Sequence, residues 1–319
     1  MIPFLTQKIA QAPMAGVTDY PFRQIERRFG GALLFSEMLS AQSLAHAHKR
    51  TLKMAGIGRG ETGIAMQLYG HEPEAVAAAA HILENEADIA FIDINMGCPV
   101  RKITSSGAGS ALMKSPDTAA QIVEKTARAV KCPVTVKCRL GQDESHLNYI
   151  EFCRLMQKAG ASAIFLHART VKQGYAGRAD WSAVAALKKA LSIKVFGNGD
   201  ITDEAQAAAR LQETGCDGVM IGRGLWGRPW LSGYAESYLK TGILKNPPPP
   251  DELLSIILVH FELLEDYYGE RNAVFVARKL LCRYAAGMAG AVEFRKRLFE
   301  MTNGRDVKNA VTDFFGHRA

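Results

Sequence analysis

The sequence predicts an α/β protein: a TIM (β/α)₈ barrel followed by a small all-α helical domain. Eight short apolar runs recur between residues 8 and 224, with starts 24 to 45 residues apart. Ala-rich stretches of helical spacing lie between them. A proline run at 246–250 then ends the alternation, and only helical patterns follow. Strands alternating with helices pair in parallel through right-handed crossovers. Eight units of roughly 30 residues are what a closed barrel requires, whereas an open doubly wound sheet typically has fewer strands.

In chain order the runs are KIAQAPMAG (8–16), ALLFSEM (32–38), GIAMQLYG (63–70), IAFIDINMGCP (89–99), VTVKCRL (134–140), AIFLHART (163–170), IKVFGNGD (193–200) and GVMIGRG (218–224). Helical segments between them include EPEAVAAAAHILENE (72–86), SPDTAAQIVEKTARAV (115–130) and TDEAQAAARLQETG (202–215). Ser115 and Thr202 are the expected N-caps of the last two, each followed by an acid in the first turn. NPPPP (246–250) cannot continue a helix and makes a stiff connector. The expected organisation is a barrel over 1–240, a Pro-rich linker over 241–250 and a helical domain over 251–319. Within the last, DELLSIILVHFELLEDYYGE, VFVARKLLCRY and AVEFRKRLFEMT carry helical apolar spacing.

Composition excludes several classes. Of 319 residues, 48% are hydrophobic and 22% charged, which is ordinary for a globular protein. No run of 18 apolar residues is present, and the start lacks a signal-peptide pattern, so a cytoplasmic protein without a membrane partner is expected. Six cysteines form no CxxC pair, and His46 and His48 stand alone, so neither a disulfide scaffold nor a metal site is expected. The net charge of +7 hides a split. Residues 251–270 hold six acids and no Lys or Arg, while 271–319 hold ten Lys plus Arg against four acids. Arg278, Lys279, Arg283, Arg295, Lys296 and Arg297 fall in that basic part, either as a solvated helix face or as a phosphate-backbone contact surface.

Barrel chemistry sits at the C-terminal ends of the strands. Here each run ends in polar or special residues: Pro13–Met14, Glu37, Gln67, Asn95 with Cys98, Lys137 with Arg139, His167 with Arg169, Asn198–Gly199–Asp200, and Gly222–Arg223. Eight such ends argue for one large site at the barrel mouth. GNGD (197–200) and IGRG (221–224) follow runs seven and eight, where barrels often bind phosphate, and Arg223 could add a charge-assisted hydrogen bond. GRGETG (58–63) precedes a strand, and GRGLWG (222–227) lies in the last unit, so neither makes a Rossmann site. Cys98 could act as a nucleophile if activated, or as a general acid in its ordinary protonated state; the residues alone favour neither. Lys137 suits a Schiff base or a fixed cation beside the anionic ring of a reduced flavin, with Gln67 across the mouth able to bond the same ring.

The segments APMAGVTDYPFR (12–23), SEM (36–38), MQLYG (66–70), DINMGCPVRK (93–102), GAGSALM (107–113), VKCRLG (136–141), HARTVKQGY (167–175), NGDI (198–201) and IGRGLWGRPW (221–230) closely resemble the bacterial tRNA-dihydrouridine synthases. RKLLCRYAAGMAGAVEFRKRL (278–298) is similar to that family's helical RNA-binding domain. The resemblance implies bound FMN, NADPH as electron donor, and reduction of the 5,6 double bond of selected tRNA uridines. It implies that Pro13, Met14 and Ala15 line the flavin, with Gln67 and Lys137 on its ring edge and His167 among the cofactor-binding residues around the uracil and flavin. It places Asn198, Gly199, Asp200, Gly222 and Arg223 around the ribityl phosphate, Cys98 as proton donor, and Asn95, Arg139, Arg169 and Tyr175 around the uracil and flavin. A monomer is expected. Two other readings remain at this level: a small-molecule flavin oxidoreductase of the dihydroorotate-dehydrogenase type, and an RNA-binding protein on a decayed barrel.

Overall fold

A computed structural model describes residues 6–30, 32–46, 49–56 and 59–316. His48 of the HxH pair, Gly58 of GRGETG, the opening MIPFL and residues 317–319 lie outside them. Each of the eight runs overlaps a strand: β1 (Ile9–Gln11), β2 (Phe35–Ser40), β3 (Thr62–Tyr69), β4 (Asp88–Asn95), β5 (Val134–Cys138), β6 (Ala163–His167), β7 (Lys194–Asn198) and β8 (Gly218–Ile221). They pair in parallel in the order β1-β8-β7-β6-β5-β4-β3-β2. The ring closes between β1 and β2 through Leu33, which gives its N–H to Ile9 O at 2.9 Å and accepts that of Gln11 at 2.8 Å. The Gln11 side chain adds to this seam, its Oε1 accepting Phe35 N at 3.1 Å.

Side chains alternate along a strand, so every second residue points into the barrel. The inward set changes character along the strands. Near their starts it is apolar: Ala10, Phe35, Ala65, Phe91, Phe165, Phe196 and Met220 belong to one buried cluster. Phe165 stacks on Phe196 at 4.7 Å between ring centroids, and Phe35 meets Phe165 edge-on at 5.1 Å. Each such ring contributes about 1.5–3 kcal/mol by burial. Further along, the same alternation brings in Gln67, Asp93, Asn95, Lys137, His167 and Asn198. The barrel is therefore solid at its base and polar at its mouth.

Helices α1 (Tyr20–Arg27), α2 (Ala41–Ala45), α3 (Lys49–Met54), α4 (Pro73–Glu86), α5 (Arg101–Thr104), α6 (Pro116–Ala129), α7 (Tyr149–Lys158), α8 (Trp181–Ala190), α9 (Glu204–Thr214) and α10 (Leu231–Thr241) accompany the strands. The expected N-cap of α9 is corrected by one residue. Asp203 caps it, accepting Gln206 N at 2.7 Å, while the Thr202 hydroxyl donates to the Gln206 side chain. A carboxylate is the stronger acceptor for an exposed backbone N–H. Ser115 does occupy the N-cap position of α6, without a side-chain hydrogen bond.

Beyond α10 an extended strap leads to α11 (Pro250–Tyr268), α12 (Glu270–Tyr284), α13 (Ala291–Glu300) and α14 (Gly304–Gly316). Pro250 opens α11, where its missing N–H costs nothing. The helices dock on α1. Tyr20 stacks on Tyr267 at 5.8 Å, Phe22 meets the His260 ring at 5.9 Å, and the Tyr268 hydroxyl donates to Asp19 Oδ2 at 2.9 Å.

Candidate active site

Sheet register assembles the first half of the site. Gln67 pairs with Asp93, and Asp93 with Thr135, so three polar side chains line up across β3, β4 and β5. Asp93 is fully buried; its Oδ2 accepts Gln67 Nε2 at 2.7 Å and its Oδ1 accepts the Thr135 hydroxyl at 2.6 Å. Burial pushes its carboxyl up to about 6, against the pull of those two bonds. Gln67 Oε1 then accepts Asn95 Nδ2 at 2.9 Å. Asn95 Oδ1 in turn accepts the backbone N–H groups of Gly97 at 3.2 Å and Cys98 at 2.9 Å. A buried chain of hydrogen bonds thus runs from the barrel interior to the Cys98 turn.

The second half is cationic. Lys137 Nζ donates to Asn198 Oδ1 at 3.4 Å, and Asn198 Nδ2 donates to Met220 O at 2.7 Å. Burial, then the repulsion of Arg139, brings the Lys137 ammonium down to about 8. His167 is buried too. Loss of water, followed by the charges of Lys137, Arg139, Arg169 and Arg223, holds its imidazole far below the ordinary value, so the ring is neutral.

Two buried arginines fix the loop after β6. Arg139 donates from Nε to Gly97 O at 2.9 Å and from Nη1 to Thr170 O and Gly174 O at 2.8 and 2.9 Å. Arg169 donates to Ala176 O at 3.1 Å and Gly177 O at 2.7 Å. It also forms an ion pair with Asp200, which accepts Ala179 N at 2.9 Å as well. Burial works against the Asp200 charge, but that N–H and the Arg169 guanidinium hold its carboxyl below the ordinary value. The loop so held presents Tyr175, which is 60% exposed, beside His167 and beneath Arg223 at 4.6 Å. Asp200 also pairs with Arg223 at 3.2 Å.

Pro13, Met14 and Ala15 form the turn after β1, where the Thr18 hydroxyl accepts Met14 N at 2.9 Å. Gly16 N donates to Glu37 at 2.6 Å, tying this turn to β2. Gly222 begins a tight 3-10 turn that carries Arg223. Gly199, at φ +146°, lies where a Cβ would sit 2.5 Å from that of Ala179 and 3.8 Å from Arg169 Nη1 and from the His167 ring. The residues expected at the strand ends therefore share one mouth. Among the described residues no group of three His, Cys, Asp or Glu side chains is arranged to hold a metal.

A family model described as Dihydrouridine synthase matches residues 10–317. The chain belongs to the dihydrouridine synthase family. It is 40% identical over 312 residues to a probable tRNA-dihydrouridine synthase of Rickettsia conorii, covering 98% of this chain and 94% of the relative. It is 38% identical over 315 residues to tRNA-dihydrouridine synthase B of Pseudomonas aeruginosa, covering 98% and 94%. Among solved structures, morphinone reductase superimposes with a TM-score of 0.53 at 14% identity, covering 77% of this chain and 88% of that one. A 2-naphthoyl-CoA reductase complex does so at 0.58 and 10%, covering 74% and 50%. These two share the barrel fold.

Sequence reading of this dihydrouridine synthase family member misses Asp93 and Thr135. Asp93 is hidden between two isoleucines in IAFIDIN, and only its alternation with Phe91 and Asn95 signals an inward position. The basic tail also divides. Arg278 is spent on structure, donating to Leu298 O at 3.2 Å and Met301 O at 2.7 Å. Arg283 lies 4.2 Å from the Trp226 ring, and Lys279 6.0 Å from it on the same helix. Arg295, Lys296 and Arg297 are exposed on α13, the last two paired with Glu293 and Asp313.

Proposed function

We propose that the protein reduces the 5,6 double bond of specific uridines in tRNA to dihydrouridine, using bound FMN and reducing equivalents from NADPH, as a cytoplasmic monomer. The observation that carries this reading is the Asp93–Gln67–Asn95 chain. It holds the Cys98 turn at a mouth that also contains Lys137 and Arg139.

The donor set fits a flavin phosphate. Arg169 Nη1 is buried and has no hydrogen-bond partner, which is costly unless an acceptor fills the place. A Cβ on Gly199 would lie 3.8 Å from it, and Asp200 links its guanidinium to Arg223. Asn198 and Asp200 would fix that phosphate-binding region. Pro13, Met14 and Ala15 would line the ring, with Lys137 and the neutral His167 at its polar edge. Gln67 retains a second Nε2 hydrogen for the same edge.

When bound, FMN supplies a hydride to uracil C6. The negative charge then shared by C5 and the C4 carbonyl requires a proton at C5. Cys98 Sγ–H donates it, and the thiolate that remains recovers a proton from water. A positioned acid of this kind contributes typically about 10²–10⁴ in rate. Lys137 and Arg139 lie within electrostatic reach of Cys98. Tyr175 and Arg139 border the space for the uracil, which must leave the RNA stack to enter. Residues 1–240 would form the catalytic domain and 251–319 the tRNA-binding domain, with 241–250 linking them. The exposed Arg295, Lys296 and Arg297 would then contact the RNA backbone.

Replacement of Cys98 by Ala tests the reading. The variant should purify with FMN yet form almost no dihydrouridine on unmodified tRNA. Full activity in that variant, or a wild-type protein that takes up no FMN, would overturn it.

A further inference from the structure

Outside the mouth, a groove of about 580 Å³ lies between the loop after β8, the proline strap and the end of α12. That is the size of an ordinary small-molecule site. Three of its wall residues are arginines, Arg223, Arg228 and Arg283, and none is acidic. Arg228 is exposed and, like Arg283, has no carboxylate partner among the described residues. The half-buried Trp226, the largely buried Trp230 and the rings of Pro247 and Pro248 supply its apolar wall. Arg223 belongs both to this groove and to the mouth, so the two spaces are neighbours.

Guanidinium groups without carboxylate partners, beside an apolar wall, suit a ligand with a phosphate and a planar ring. We infer that the groove binds a phosphorylated nucleoside, its phosphate on Arg228 and Arg283 and its base against the indole and proline wall. This rests on the proposed reaction for its two sources of such a group. One is the adenosine end of the dinucleotide reductant, whose other end must reach the mouth. The other is a nucleotide of the RNA flanking the target uridine. Proline supports such a wall well, because its fixed φ keeps the strap extended and leaves little freedom to lose on binding.

The test uses the FMN-loaded enzyme and three probes: adenosine monophosphate, NADP⁺ and an unmodified tRNA transcript. Binding is read directly by calorimetry or filter retention, without turnover. Wild type should bind one equivalent of adenosine monophosphate. Arg228→Glu should weaken it about tenfold, the worth of one charge-assisted bond. Ala286→Trp, at an exposed position on the groove wall, should block it sterically while leaving the arginines in place. Parallel loss of NADP⁺ binding identifies the reductant as the natural source, and parallel loss of tRNA binding identifies the RNA. Wild type that binds no adenosine monophosphate overturns the inference. So do two variants that bind all three probes as wild type does, and so does a loss confined to adenosine monophosphate. An enzyme that binds adenosine monophosphate here but never reduces tRNA would sink the proposed reaction alone.

Discussion

Asn95 Oδ1 accepts the backbone N–H of Cys98 at 2.9 Å, and this one bond couples the Cys98 turn to the barrel interior. Asn95→Ala removes it and leaves Gln67 Oε1 and two backbone N–H groups without their partner. The expected result is a kcat roughly tenfold to a hundredfold lower with KM for tRNA nearly unchanged, since displacement by about 1 Å can cost that much. The unpaired buried groups should also cost about 1–3 kcal/mol of stability. Single-turnover kinetics and a thermal melt check both; an unchanged kcat would show that the turn holds itself.

Arg139 joins the Cys98 turn to the Tyr175 loop through three carbonyl groups. Arg139→Lys keeps the charge but cannot reproduce a planar fork that reaches both loops. Activity should fall at least about tenfold, even though the cation is conserved. If Lys restores wild-type rates, the charge matters and the clamp does not.

Glu26 offers a test by pH. It is wholly buried, and both carboxylate oxygens lack a hydrogen-bond partner among the described residues. Burial pushes its carboxyl up to about 8, with the nearby Ser232 hydroxyl and Arg23 charge offsetting only part of the shift. The folded state therefore binds this proton more tightly than the unfolded chain. Stability on this account is highest below about pH 4.5 and declines as pH rises through 8, by about 1.4 kcal/mol per unit of pKa difference. Glu26→Gln should melt higher than wild type at about pH 9, with the difference shrinking toward about pH 5. A constant difference across that range would refute the assignment.

Gly227 lies at φ +83°, where an added Cβ would be 2.5 Å from the carbonyl carbon and oxygen of Arg283. Gly227→Ala should therefore disturb the contact between the loop after β8 and α12. A destabilisation of about 1–3 kcal/mol is expected from the backbone conformation and the clash together. Thermal unfolding measures the loss, and protease cleavage within the strap should quicken. Wild-type stability in this variant would mean that α12 can shift without penalty.

Much of the fold is legible because each strand announces itself twice, by its apolar run and by the polar residue that ends it. Cys98, Lys137, His167 and Arg223 stand out at such ends. Asp93 does not, because its importance comes from lateral neighbours in register, Gln67 and Thr135, which lie 26 and 42 residues away. The same limit explains Arg278. Counting charges places it in a basic surface, but the terminal carbonyls of α13 use its guanidinium. Asn95 is visible as a strand end, whereas its commitment to the Cys98 turn depends on geometry over three residues. Thr202 and Asp203 compete for one cap, and only the backbone decides between adjacent acceptors.

The closure at Leu33 gives the cylinder a preferred place to breach. β1 and β2 share two backbone hydrogen bonds there and a glutamine side chain, whereas β3 and β4 are paired along most of their length. Thermal opening should begin at this thinnest stave, exposing the amides of Gln11, Leu33 and Phe35 to solvent exchange while the wall behind Cys98 stays zipped. The Cys98 side of the mouth is built on the firmly laced β3–β4 pair, and the molecule breathes two seams further round the ring.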